Sequence, residues 1–545
     1  MLFMSLREGT MLLSVIVFSS LSVSTALGQT EPVVDSSYLA AVYEHNVILN
    51  PDPRVPLSRP AALQHMQRNL DIYEQQAARA AQQGVQILVF PEDGIQGFNF
   101  SRSSIFNYLE TIPDPQQESW NPCTEPGKYN NTEVLQRLSC MARRYNLYLV
   151  ANMADLQPCP LKTDPSSSCP PDGHWQFNTN VVFSSDGLLV ARYHKQNLYF
   201  EESFDKPPQP EIITFDTPFA GRFGLITCFD ILFYEPTIEL VEKGVHQLIY
   251  PTGWFNSLPL LDSVQFQSAF SLGAKVTLLA ANLRKENVPL THGYKTMTGS
   301  GIYTPYSATY HHAQKGDPEE GMLLVARVPV LDPLWAGQSV DTEEGLVGGM
   351  MVVTLKHEGT TACWEMLKMS VRTSVSSAAQ SFEPGMLSAP ETFNSSVTYD
   401  PFTFVPLMET EGEVNVCNGK FCCNLQYRRI QQGDSKELYA LGAFAGKHHG
   451  IYFIQVCALL RCAGLDPSSC GQKVQEAESK FDFVLEGKFG STYVYPSVLA
   501  SKFVLEQPKQ LETAPDGTVT MTHSNMTGGL VTACLYGRMY HLDNE

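Results

Sequence analysis

The chain has 545 residues, 43% of them hydrophobic and 17% charged. It is therefore expected to fold, and into more than one globular domain. A formal net charge of −19 without a basic cluster argues against nucleic acid or an anionic membrane surface as the main partner.

The N-terminus reads as a secretory signal over residues 1–28. Met11–Val23, "MLLSVIVFSSLSV", is an apolar run too short to span a bilayer, and small residues follow at Ala26–Gly28. Four N-x-S/T sequons, at Asn99, Asn130, Asn394 and Asn525, agree with secretion and are read as glycosylation sites. No later stretch is apolar enough to cross a membrane, and the polar ending "YGRMYHLDNE" lacks the tail of a lipid-anchor signal. A secreted, extracellular protein with no membrane anchor is expected.

From about residue 38 to 335, strands and helices alternate. "LAAVYEHNVIL" reads as a strand. Ser58 is placed to cap a helix that stops at Gly84, and "VQILVF" (Val85–Phe90) is a buried strand ending in "PEDG". A helix "TEVLQRLSCMARRYN", a strand "LYLVANM" and a hairpin "NVVFSSDGLLVARYHK" follow. Next come strand "FGLITCF", helix "PTIELVEKG", strand "HQLIYPT", helix "LLDSVQFQSAFSLGA" and strand "VTLLAAN". Strand runs that are apolar throughout, joined by helices, imply an α/β layered domain with its sheet covered on both faces. Ligands in such folds bind beyond the carboxyl ends of the strands.

Residues 336–399 are irregular and read as a connecting region. Residues 400–545 read as a β-rich, mostly antiparallel second domain, with strands such as "FTFVPL", "CCNLQYR", "IYFIQVCALLRC" and "LVTACLYGRMY". Thirteen cysteines in a secreted chain favour disulfides and leave at least one thiol unpaired. The group Cys417, Cys422, Cys423, Cys457, Cys462 and Cys470 lacks the paired spacing and histidines of a zinc site, so it reads as disulfide staples. Cys123, Cys140, Cys159 and Cys169 supply two further bridges, with the pairing left open. Cys228 is the candidate free thiol. No motif implies a metal or an organic cofactor.

Three strand ends carry chemistry: Glu92 after "VQILVFP", Lys195 after "LLVARYH" and Cys228 after "FGLIT". Each alone has an ordinary reading as a solvated carboxylate, a surface lysine or a small buried apolar residue. Together they make a thiol nucleophile, an acid–base carboxylate and a cation. A thiolate is favoured beside a cation, so Lys195 is expected both to lower the Cys228 pKa and to bind a developing oxyanion. His194 reads as a packing or surface residue, and Asp230 as support for the turn after the thiol. In "PTGWFN", Trp254 and Phe255 either line a substrate pocket or pack in the core.

The stretches "FPEDG", "RYHKQNL" and "TCFD" resemble the Glu, Lys and Cys motifs of the nitrilase superfamily of carbon–nitrogen hydrolases. "FPEDGIQGFNFSR", "ARYHKQNLYFEESFD" and "FDTPFAGRFGLITCFDILF" resemble its biotinidase–vanin branch, over nearly the whole chain from residue 38. The resemblance implies a nitrilase-like α-β-β-α sandwich over 38–335. It implies that Cys228 is the nucleophile and Glu92 the general base and acid. Lys195, with the backbone N–H of Phe229, would stabilise the oxyanion, and Glu201, not its neighbour Glu202, would hold Lys195. The implied reaction is hydrolysis of a small-molecule linear amide through a thioester: biocytin or biotinyl peptides, or alternatively pantetheine. A silent biotin-binding carrier is the alternative of another class, and loss of Glu92, Lys195 or Cys228 would mark it. The sequence departs from the branch at "GWFN", where alanine and methionine are usual, and in the extended "RKENVPLTHGYKT" segment.

Overall fold

The computed structural model describes residues 37–159, 169–290, 293–331, 345–347, 350–354, 391–430 and 436–543. The signal-like segment, Cys363 and most of the connecting region lie outside them.

Two sheets stack face to face. The first has six strands in the order Gly321–Pro329, Ser37–His45, Ile87–Val89, Tyr148–Pro158, His174–Phe183 and Leu189–His194. The second runs Gly345–Val347, Met350–Thr354, Ser307–His311, Ser300–Tyr303, Thr277–Asn282, Gln247–Thr252, Gly221–Leu225 and Thr214–Thr217. Alternate side chains of both sheets meet between them: Val42, Val89, Val150 and Val182 face Leu225, Ile249, Leu279 and Ile302. The opposite set on the first sheet, including Leu88, Leu149 and Phe183, packs under two helices. A strand buried on both faces has no polar position to spare, which is why these runs read as continuously apolar.

The first of those helices, Arg59–Gln82, places Ala62, Met66, Leu70, Tyr73 and Ala77 on one buried stripe. Each large side chain so buried stabilises by about 1.5–3 kcal/mol. Pro60 stands in its first turn and Gly84 follows with φ +76°, so the stop signal acts as expected. Ser58 occupies the N-cap position, but its hydroxyl makes no capping bond. The second helix, Glu133–Tyr145, ends at Asn146 in the left-handed region.

Over the second sheet lies Ser263–Ala274, whose Phe266 and Phe270 pack against Tyr495 and Tyr536 of the C-terminal part. A Cβ at Gly273 would stand 2.6 Å from the Val494 carbonyl oxygen, so only glycine allows helix and strand to approach this closely. The layering is thus helix, sheet, sheet, helix, with the outer face of the last helix covered in turn.

The C-terminal part is a sandwich of a seven-stranded and a five-stranded sheet, all pairings antiparallel. Its first strand, Phe393–Val397, falls within the segment read from sequence as connecting, and forms a hairpin with Asp400–Pro406. The disulfide Cys423–Cys457 joins the two sheets. Cys417–Cys422, Cys462–Cys470, Cys123–Cys140 and Cys159–Cys169 close local loops. Cys228 is free, as expected, but it has company among the described residues: Cys534 is also a free, buried thiol. The extended "RKENVPLTHGYKT" segment forms a two-stranded ribbon, Lys285–Leu290 with Gly293–Met297.

Candidate active site

Glu92 follows the strand Ile87–Val89, Lys195 follows Leu189–His194, and Cys228 opens a short turn three residues after Leu225, the end of Gly221–Leu225. Because the two sheets stack, these strand ends meet. Lys195 Nζ lies 2.7 Å from Glu92 Oε1 and also pairs with Glu201 Oε1. Glu202 points elsewhere, to Arg54 on the surface. Both Glu92 oxygens are occupied: Oε1 also accepts from Asn178 Nδ2 at 2.8 Å, and Oε2 accepts from the Gly253 N–H at 2.8 Å.

Cys228 has φ +43°, which is uncommon for a residue with a side chain. The turn that holds it is braced. Thr227 and Asp230 form a reciprocal capping box, with the Thr227 N–H donating to Asp230 Oδ2 at 3.0 Å. Asp230 further accepts from the Tyr193 hydroxyl at 2.7 Å and from the Asn197 amide groups at 2.8 and 2.9 Å. Burial pushes the Asp230 carboxyl up to about 6. The Tyr250 hydroxyl donates to the Cys228 carbonyl at 2.9 Å. So many fixed partners over-determine a strained backbone, as strained sites require.

The electrostatics follow the sequence expectation only in part: Lys195 pulls the Cys228 pKa down, but the net shift is upward. Burial pushes the Cys228 thiol well above the usual thiol range, the Glu92 charge adds to the push, and Lys195 opposes it without prevailing. Lys195 itself pairs with two carboxylates. Burial alone would lower the lysine, but Glu201 and Glu92 hold it well above its ordinary value. Burial, with the Glu92 charge behind it, raises Glu201 against the pull of Lys195. Burial likewise raises Asp93, helped by Glu92 and Glu201. The resting site therefore holds a protonated thiol beside a carboxylate.

His194 is buried and packed, its Nε2 2.8 Å from Asp155 Oδ2 and its Nδ1 2.8 Å from Glu211 Oε1. Trp254 packs in the core: its indole N–H donates to the Leu261 carbonyl at 3.0 Å and its ring stacks parallel to Phe266. Phe255 is partly buried against a small cluster of Val47, Leu283 and Met297. Next to the thiol, Phe229 has the Tyr199 ring 5.1 Å away, and Tyr199 in turn has Phe200 at 5.0 Å. Phe200 is 82% exposed. Phe229 also approaches Tyr452 of the C-terminal part, 6.4 Å away.

Asn178 was missed in the sequence. Its amide nitrogen bridges Glu92 and Glu201, at 2.8 and 2.9 Å. A network of buried amides continues from it, through Asn152 to Asn180 and from Asn180 to the Thr227 hydroxyl at 2.9 Å. The signal was available: Asn178 and Asn180 stand two apart in an apolar strand, hence on one face. All four sequon asparagines, Asn99, Asn130, Asn394 and Asn525, are exposed.

The sequence profile of the carbon–nitrogen hydrolases matches residues 55–285, and that of the vanin C-terminal domain matches residues 391–543. A biotinidase of Takifugu rubripes is 67% identical, over 94% of this chain and 96% of its own length. The biotinidase of Homo sapiens is 46% identical, over 93% of this chain and 90% of its own. A pantetheinase of Sus scrofa is 42% identical over the same shares, 93% and 90%.

Proposed function

This chain belongs to the carbon–nitrogen hydrolase family, in the branch that carries a vanin C-terminal domain, and we propose that it is a thiol amidase that releases biotin from biocytin and short biotinyl peptides. The observation that carries the chemistry is the convergence of Glu92, Lys195 and Cys228 from three strand ends, with Lys195 Nζ 2.7 Å from Glu92 Oε1. The substrate reading rests on the biotinidases, whose similarity reaches 67% identity against 42% for pantetheinase.

In this reading Glu92 takes the Cys228 thiol proton as sulfur attacks the amide carbonyl. The carbonyl oxygen gains the negative charge of the tetrahedral intermediate, which Lys195 and the Phe229 N–H stabilise. Glu92 passes its proton to the departing nitrogen, the C–N bond breaks, and a thioester remains on Cys228. Glu92 then deprotonates water, which attacks the thioester carbonyl. The C–S bond breaks and the proton returns to sulfur. Glu201 and Asn178 hold Lys195 and Glu92 in register. No step draws on a cofactor.

Five disulfides among the described residues support an oxidising, extracellular location, and four exposed sequon asparagines support glycosylation. Among the described residues no helix is long and apolar enough to cross a membrane. The test is kcat/KM of the purified chain on biocytin and on pantetheine, with Cys228→Ala as control. Turnover of biocytin that Cys228→Ala abolishes supports the reading. Preference for pantetheine moves the substrate and keeps the mechanism. Turnover that survives Cys228→Ala overturns the mechanism.

A further inference from the structure

A cavity of about 210 Å3 opens beside the ribbon Lys285–Leu290/Gly293–Met297. Asn256, Asp262, Arg284, His312, Lys473 and Phe503 line it, and none of Glu92, Lys195, Glu201 or Cys228 does. Lys473 and Phe503 come from the C-terminal part, so the cavity sits on the seam between the two halves.

Its charges are arranged by depth. On the floor, Asp262 is 1% exposed. One of its carboxylate oxygens lies 3.4 Å from His312 Nε2, while the other, Oδ1, has no hydrogen-bond partner. His312 stacks on Phe503 with ring centroids 3.6 Å apart, and its Nδ1 is likewise buried without a partner. A buried carboxylate oxygen and a ring nitrogen left unmatched are costly, and a ligand that satisfies them is favoured by that cost. At the rim the balance reverses. The Arg284 guanidinium donates to the Pro318 carbonyl, Lys473 is exposed, and neither side chain forms an ion pair among the described residues. Glu286 is the one rim carboxylate beside them.

An anionic floor and a cationic rim in one small cavity match a ligand that carries both signs. The volume is below the roughly 300–1,000 Å3 of sites for drug-sized molecules, so it suits an amino-acid head and not a whole vitamin amide. We propose that this cavity binds the zwitterionic head of an α-amino acid, the ammonium on Asp262 Oδ1 and the carboxylate on Arg284 and Lys473. The head has two sources: the lysine that leaves a cleaved biocytin, or a free amino acid acting on the protein from solution. The first source rests on the hydrolase reading above; the second does not.

The test is calorimetric titration of the full chain with L-lysine, with Nα-acetyl-L-lysine, which lacks the α-ammonium, and with cadaverine, which lacks the carboxylate. L-lysine is expected to bind, and each analogue to bind at least about tenfold more weakly, as befits a lost charge-assisted hydrogen bond. Asp262 is the N-cap of Ser263–Ala274 and forms a capping box with Gln265; Asp262→Asn keeps a competent cap and removes the charge, while Lys473→Ala alters an exposed side chain. Each is expected to weaken L-lysine binding about tenfold. No binding of L-lysine, equal binding of the analogues, or binding indifferent to both variants overturns the proposal. Competitive inhibition of biocytin hydrolysis by L-lysine, with both variants lowering kcat/KM on biocytin relative to biotin methylamide, assigns the head to the leaving group. Non-competitive inhibition assigns it to a free amino acid. Because binding is read as heat, a chain that turns over no amide would overturn the hydrolase reading and leave this one standing.

Discussion

Lys195 and Glu92 are in direct contact, Nζ to Oε1 at 2.7 Å, in a site where both side chains are buried. With Glu201 on the same ammonium, the cation faces two carboxylates before any substrate arrives. A lysine so engaged is poor at drawing a thiolate out of Cys228, and burial keeps the thiol protonated. In the mechanism proposed above, activation then depends on proton transfer to Glu92 at the moment of attack, and Lys195 contributes once an oxyanion competes for it.

Replacing Glu92 by Gln separates these two effects. The base is lost, and kcat/KM on biocytin is expected to fall about 10²- to 10⁴-fold. The Glu92 charge also helps to hold the Cys228 thiol up, so its removal lowers that thiol. Iodoacetamide alkylation of Cys228, followed against pH by mass spectrometry, should therefore shift to lower pH in Glu92→Gln than in the native protein. An unchanged alkylation profile would remove Glu92 from the thiol's electrostatic surroundings, and unchanged hydrolysis would place the base elsewhere.

Glu201 and Glu202 are adjacent in sequence and opposite in use. Glu201 meets Lys195 and Asn178 in the interior, while Glu202 meets Arg54 at the surface. Glu201→Gln frees the lysine from one of its two holds, and a misplacement of about 1 Å costs on the order of 100-fold in rate. Glu202→Gln removes a surface ion pair worth about 0–1 kcal/mol and is expected to leave kcat within about twofold of native, an effect small on the scale of about 1.4 kcal/mol per tenfold. Steady-state kinetics on the two variants side by side settle which glutamate supports the site.

Much of this was legible in the chain. The apolar strand runs and their punctuation gave the layered domain, and the residues that end those strands gave Glu92, Lys195 and Cys228. What escaped depended on neighbours distant in sequence. The rise of the Cys228 thiol follows from its burial and from the Glu92 charge, and no local motif encodes either. Asn178 carried no motif of its own; it meets Glu92 only because their strands, Ile87–Val89 and His174–Phe183, lie in one sheet. Trp254 offered two readings, and the parallel stack on Phe266 decides for packing. Cysteine pairing was equally closed: Cys417 and Cys422 face each other only because a tight hairpin sets that register.

Arg538 ties the C-terminal sheets to the turn after the thiol. It is fully buried, donates from Nε to the Leu232 carbonyl at 2.8 Å, pairs with Asp543 at 2.5 Å, and lies over the rings of Tyr452 and Tyr540. Leu232 ends the turn that begins at Cys228. Arg538→Met leaves the Leu232 carbonyl without its Arg538 donor and Asp543 with the Phe453 N–H but no cation. A loss of about 3 kcal/mol in stability is expected, with a fall in kcat that exceeds any change in KM. Denaturant unfolding and kinetics on the same preparation check both. Full activity in a destabilised variant would show that the C-terminal part supports the fold and not the nucleophile's turn.

His45 supplies the pH prediction. It is buried, holds Asn69 Oδ1 at 3.0 Å from its Nε2 and packs edge-on to Tyr73. Burial pulls its pKa down to about 4, with the Asn69 hydrogen bond resisting. The unfolded chain, with His45 near 6.5, binds a proton that the folded chain refuses, so between pH 6.5 and 4 stability must fall as pH falls. The gap between 6.5 and about 4, at about 1.36 kcal/mol per pH unit, amounts to about 3 kcal/mol. Glu110 works in the opposite sense, because burial raises it to about 7; its contribution is present in acid and lost as pH rises from 4.5 to 7. Glu110 is common to native and variant chains, so their difference isolates the histidine. His45→Gln keeps a partner for Asn69 and cannot take up the proton. Its Tm should therefore drop less than the native Tm between pH 7 and pH 4.5. Parallel pH dependence in the two proteins would mean that His45 is already charged in the fold, against the burial that surrounds it.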